Sequence, residues 1–261
     1  MESNSKANPI GRRQVVLAAA VATAGWVMPR NARAFGQEGA FHPRMLRTGS
    51  APWDAARASA PSRWAAELVR RTSAPARRVP RTVAADDGEL LEEPFVLWGG
   101  AGPVPPLSGG QIKLLRQFLQ LGGVMLVDDF DPASGEFKRG AERELGRVAP
   151  ESPPARLDPS HVIFKTFYML DRPVGRFAGP PHAEAIVRGR NAQVIFLSHD
   201  LMGALATSVQ GGWALDVPNT MQRERAIRFA VNLAMYVLCS DYKDDLVHAQ
   251  WLMRHRGRRE P

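Results

Sequence analysis

Cysteine is nearly missing from this 261-residue chain. Cys239 is the sole example, so no intramolecular disulfide can staple the fold. A long hydrophobic run is missing too. The N-terminal run Val15–Met28 is apolar apart from Thr23, contains Gly25 and stops at Pro29; at 14 residues it falls short of the roughly 20 that span a bilayer. No G-x-S-x-G or G-x-C-x-G elbow occurs, which removes the usual signature of serine or cysteine nucleophile chemistry. The Gly-rich stretch 99–102 has neither the Lys-Ser/Thr ending of a P-loop nor a G-x-G-x-x-G fingerprint. No internal repeat is visible.

The charge is uneven. With 34 Lys+Arg against 26 Asp+Glu the formal net charge is +8, a balance that invites a nucleic-acid or membrane-surface reading. Residues 1–81 carry a net +10, residues 82–253 a net −5, and residues 254–261 a net +3. The core is therefore mildly acidic, aromatic-basic interleaving is absent, and no nucleic-acid partner is expected.

Part of the excess has an address. Arg12-Arg13 precede the weakly hydrophobic run, and Ala32-Arg33-Ala34 follows it as a small-x-small cleavage sequence. Together these predict a twin-arginine export signal over residues 1–34, with the translocase as a transient partner and a periplasmic or secreted product cut near Ala34. Residues 35–81 then read as a basic N-terminal arm with one short helix capped by Ser62, residues 82–253 as an α/β domain, and residues 254–261 as a basic tail.

The α/β expectation comes from alternating periods. Phe95–Trp98 and Val124–Val127 are continuous apolar runs, and Ala192–Leu197 is a third strong strand signal, of the kind that form strands buried on both faces. Between and after them, helices are expected from Ser108 to Gly122, over 136–147 and from Thr220 onward. Strands alternating with helices predict a mostly parallel sheet covered on both sides.

In such a sheet ligands bind at the carboxyl ends of the strands. The three ends carry Gly99-Gly100-Ala101-Gly102, Asp128-Asp129-Phe130-Asp131 and Ser198-His199-Asp200. Gly99 and Gly100 are either a tight turn or a backbone anion cradle. Asp128 and Asp129 either hold a hard cation or cap backbone N–H groups. His199 and Asp200 are candidates for a base and its orienter, although neighbours on a strand point to opposite faces. His161 and Tyr168 are the polar members of an aromatic segment, with His161 either lining a cleft or serving as a hydrogen-bonded structural residue.

The order of Phe41-His42-Pro43-Arg44, Pro94–Gly100, Leu115–Leu119, Gly122–Asp129, His161–Leu170 and Asn232-x-x-x-Tyr236-x-Leu238 resembles the bacterial family called domain of unknown function 4159. The resemblance implies a flavodoxin-like three-layer sandwich, similar to class I glutamine amidotransferases without their catalytic cysteine. It also implies a setting near MoxR-type AAA ATPases and von Willebrand factor A proteins in cell-envelope complexes. No reaction, cofactor or ligand follows from it. Two functions are therefore carried forward: an exported, non-catalytic interaction or ligand-binding domain, and a metal- or water-dependent hydrolase built from Asp128, Asp129, His161, His199 and Asp200.

Overall fold

Alternating side chains along three central strands supply both hydrophobic cores of the computed structural model, which describes residues 39–49, 53–189 and 191–256, with side chains described to residue 240. The expected export signal lies outside the described residues. In chain order the elements are β1 (Arg44–Arg47), α1 (Ala55–Ala58), α2 (Ala60–Thr72), β2 (Thr82–Ala84), a 3-10 turn (Gly88–Glu92), β3 (Phe95–Gly100), α3 (Gly109–Gln120), β4 (Val124–Asp129) and α4 (Glu136–Val148). They continue with β5 (Ala155–Arg156), a second 3-10 turn (Val162–Phe164), β6 (Glu184–Arg188), β7 (Asn191–Leu197), α5 (Leu201–Leu205) and α6 (Thr220–Arg256).

The seven strands form one sheet in the order β2-β1-β3-β4-β7-β6-β5. Pairings from β2 through β7 are parallel, and β6 and β5 extend that edge antiparallel. With β7 in the place of a fifth strand, this is the flavodoxin-like order. The parallel neighbours have both faces covered. Phe95 and Leu97 of β3, Val124 and Leu126 of β4, and Ile195 and Leu197 of β7 join one core with α2, α5 and α6. Val96 and Trp98, Met125 and Val127, and Val194 and Phe196 join the other with α3 and α4.

Local signals explain the helices. Ser108 forms a capping box with Gln111 at the start of α3, satisfying backbone N–H groups that the first turn leaves open. Gly122, at φ +89°, follows its end in a left-handed conformation that glycine adopts without cost. Helix α6 is broader in its burial than a single stripe: Ala226, Phe229, Leu233 and Val237 are buried as well as Ile227, Ala230, Val231 and Ala234, because α6 packs against both α2 and the second 3-10 turn.

The expected basic arm is corrected by the fold. Residues 44–47 form a strand between β2 and β3, and α2 buries Trp64, Ala65 and Leu68. Trp64 donates from Nε1 to the Ala230 carbonyl at 2.7 Å and packs near Phe41 and Phe95. The helix begins after Ser59, and the Ser62 hydroxyl donates to the Arg78 carbonyl. Several arginines of this stretch form ion pairs: Arg71 of the helix binds Glu67 and Glu224, and beyond it Arg77 binds Glu93 and Arg81 binds Glu89. A four-residue strand with arginines at both ends gives almost no alternation to read, and the arginines hide their partners until the chain folds.

The polar motif residues are anchors. His42 Nδ1 meets the Glu93 carboxylate at 2.9 Å, and buried Arg44 donates to the carbonyls of Glu89, Leu90 and Glu93. Asn232 accepts from the backbone N–H groups of Phe167 and Tyr168 and donates to the Tyr168 carbonyl. The Tyr236 hydroxyl bonds both the N–H and the carbonyl of Ala192.

Candidate functional site

The carboxyl ends of β4 and β7 carry a buried charge network. Asp128 and Asp200 have no exposed surface. Asp128 accepts from the backbone N–H groups of Leu201 at 3.0 Å and Met202 at 2.8 Å, so it caps α5 rather than the segment that follows it in sequence. Burial, and next the Asp200 charge, push its carboxyl well above the usual carboxylate range. Asp200, at φ +50°, is the N-cap of α5 and accepts from Gly203 N at 2.8 Å. Arg57 grips it bidentately, Nε to Oδ1 at 2.8 Å and Nη2 to Oδ2 at 2.6 Å, and Arg176 Nε reaches Oδ2 at 2.5 Å. A Cβ on Gly203 would lie 2.2 Å from Asp200 Oδ2, so glycine is what admits the carboxylate there.

His199 and Asp129 are equally withdrawn. The His199 ring bonds through Nε2 to the Pro180 carbonyl at 2.8 Å. A carbonyl only accepts, so Nε2 carries the proton. Nδ1 is buried without a hydrogen-bond partner, and burial lowers the imidazole to about 4. Glycines 175 and 179 press on this histidine: a Cβ on either would come within 2.5 Å of its atoms. Asp129 Oδ1 accepts from Asp131 N at 3.0 Å, a cap on the backbone that follows it; Oδ2 is buried without a partner.

The five hydrolytic candidates do not assemble. His161 caps the second 3-10 turn through Nδ1, which accepts from Ile163 N, and its ring centroid lies 6.1 Å from that of Tyr236. Tyr236 in turn bonds Ala192, at the amino end of β7. His199 follows the carboxyl end of that strand, about 20 Å away at the usual strand rise. Among the described residues no group of three or more His, Cys, Asp or Glu side chains is placed to hold a metal ion. Tyr168 lies on the α6 side, where Arg71 donates to its hydroxyl at 3.5 Å and the Arg228 guanidinium sits 5.2 Å from its ring centroid.

Gly99 and Gly100 do reach an open site. Around the carboxyl ends of β1 and β3 lies a cleft of about 670 Å³, within the range of pockets for small organic ligands. Two other depressions hold only about 10 and 20 Å³. The chain runs outward from β1 to β2 on one side and from β3 to β4 on the other. The cleft therefore occupies the topological switch point, where strand-end loops part and leave a crevice.

Its apolar walls come from Trp53, Trp98, Val104, Phe130 and Phe137, and its polar rim from Arg47, Thr48, Asp54, Arg57 and Thr82. The glycines make this lining possible. A Cβ on Gly99 would fall 2.3 Å from the Phe130 ring, and one on Gly100 would fall 2.6 Å from Phe137. Both are thus close-approach positions for aromatic rings. Phe130 stacks edge-on with Trp53, and the Arg57 guanidinium lies 4.8 Å from its centroid. The residues that sequence reasoning passed over, Arg47, Trp53 and Arg57, all fall in the stretch read as an arm. Arg47 follows the only apolar pair in that strand, a signal too short to place it.

Fold and cleft together define a doubly wound α/β domain with a ligand-sized crevice at its switch point. The family model described as Domain of unknown function (DUF4159) matches residues 44–238, and the chain belongs to that family. A search of curated proteins finds no match to it.

Proposed function

We propose that this protein is an exported, non-catalytic ligand-binding domain of a bacterial envelope complex, with the cleft between β1 and β3 as its binding site. One observation carries the reading. The large cleft at the switch point is lined by aromatic rings and arginines, whereas Asp128, Asp129, His199 and Asp200 are fully buried and engaged in holding the fold. The hydrolase alternative draws no support from this arrangement. The likeness to class I glutamine amidotransferases then concerns the sheet and not the chemistry, since Cys239 sits in α6.

Export through the twin-arginine route is supported by Arg12-Arg13 and Ala32-Arg33-Ala34. A route that carries folded proteins suits a chain with one cysteine. Within the envelope, MoxR-type ATPases and von Willebrand factor A proteins are the partners that the family resemblance points to.

The binding role is tested with Ala101→Trp, which fills the cleft from an exposed lining position. Compounds that raise the melting midpoint of the wild type are expected to leave this variant unmoved; equal shifts in both proteins overturn the reading. Export is tested by an Arg12→Lys, Arg13→Lys double variant, expected to accumulate in the cytoplasm, and by N-terminal sequencing of the periplasmic form, expected to begin at Phe35.

A further inference from the structure

The charges around the cleft do not cancel. Arg47 is exposed at the end of β1 and has no side-chain hydrogen bond or ion pair among the described residues. Its neighbour on the rim, Arg57, is pinned. Nε and Nη2 bind Asp200, Nη1 binds Asp54 at 3.1 Å, and Nη2 also approaches the Phe130 carbonyl at 3.5 Å. A guanidinium has five N–H donors, so one Nη1 hydrogen remains beyond these four bonds. Asp54 is the sole carboxylate among the described residues of the lining, and it is committed to the backbone N–H and the guanidinium of Arg57. The rim thus presents one uncompensated guanidinium and one immobilised guanidinium with a spare donor, above a floor of aromatic rings.

We infer that the cleft takes an organic anion, an apolar ring-bearing body lying against Trp53, Phe130 and Phe137 with its carboxylate or phosphate toward Arg47 and Arg57. The inference rests on the proposed binding role and names the ligand class for that same cleft. The guanidinium fork matches planar or tetrahedral oxyanions through paired hydrogen bonds, while the rings supply area to a flat partner. An uncharged ligand of the same shape would leave Arg47 solvated and gain nothing from it. A cation would meet two guanidinium groups.

Two naphthalene dyes separate the charge from the apolar body: anilinonaphthalenesulfonate, which is an anion, and phenylnaphthylamine, which is neutral. The wild type is expected to bind both with one-to-one stoichiometry, the anion more tightly, and Ala101→Trp to bind neither. Arg47→Ala is expected to weaken the anionic dye about tenfold, as loss of one charge-assisted contact would, while leaving the neutral dye within about twofold and the melting midpoint unchanged. Raising the salt concentration is expected to weaken the anionic dye only. Naphthoate and naphthyl phosphate then compete for the site, and the stronger competitor identifies the headgroup.

If both dyes bind in the cleft but Arg47→Ala changes the anion by less than about twofold, or if neither competitor displaces it, the anion inference fails and the binding role stands. If neither dye binds the wild type, or Ala101→Trp binds both unchanged, the cleft itself is not a binding site and both readings fall.

Discussion

Two groups of polar residues sit at the carboxyl edge of the same sheet, one strand apart, and they are organised in opposite ways. At the ends of β4 and β7 Asp128, Asp129 and Asp200 are buried, and Asp200 alone gathers Arg57, Arg176 and a backbone N–H. At the ends of β1 and β3 the surface opens, Arg47 has no partner among the described residues, and the walls are aromatic. Two of the acids that look catalytic in sequence, Asp128 and Asp200, hold α5 in place. Charged groups taken out of water must be paired or capped to be tolerated, and once paired they have little left for a ligand. A charge available for recognition is one the fold leaves unsatisfied at a surface it cannot close. Arg57 connects the two regions, since it clamps Asp200 and also lines the cleft.

The sharpest way to break the contrast is to remove the buried acid. Asp200→Ala leaves Arg57 and Arg176 facing an empty site and is expected to cost about 3–5 kcal/mol in denaturant-monitored unfolding, with loosening of the cleft wall that Arg57 forms. A wild-type stability for this variant would place the network outside the fold's energetics.

The pH profile is the next largest effect. The folded His199 imidazole titrates near 4 against an ordinary value of 6.5, so the unfolded chain binds its proton first. That contribution is fully present above about pH 6.5 and is lost as pH falls toward 4, amounting to about 3 kcal/mol for a shift of this size. Asp128, whose carboxyl is raised, acts in the opposite sense, so the informative quantity is a difference. His199→Gln keeps a donor for the Pro180 carbonyl, and its stability is expected to fall less than that of the wild type across this window. Parallel profiles would mean that the ring is solvated or charged in the native state.

Gly100→Val drives a side chain into Phe137 on the cleft floor and is expected to cost about 1–3 kcal/mol, measured by thermal unfolding, together with dye binding. Arg47→Ala is the smallest of the stability changes, within about 0.5 kcal/mol of the wild type, although it is expected to have a large effect on anion affinity. A large stability loss at Arg47 would mean that this arginine belongs to the paired class after all.

Much of the α/β core was legible because its signals are local. The runs 95–98 and 124–127 are apolar without interruption, 192–197 is broken only by Gln193, and Ser108 announces a helix start. The edge strands β2 and β5, and β6 beside the latter, were not, being short and mixed in polarity. Nor was β1, although it borders the cleft: Arg44 looks like a solvated residue until the carbonyls of the first 3-10 turn surround it. For the site, the glycines at 99 and 100 were visible and their purpose was not. The clash partners Phe130 and Phe137 come from after the next strand.

By itself the sequence determined the class of fold, the family, and the low cysteine content that leaves stability to packing, because hydrophobic period and motif order are properties of neighbouring residues. Only the tertiary structure decided which polar groups are spent and which remain available. That division depends on partners 143 residues apart in the pair of Arg57 with Asp200 and 73 apart in the cap that Asp128 places on α5. Local spacing carries no record of such contacts, and desolvation makes them obligatory once the chain is closed.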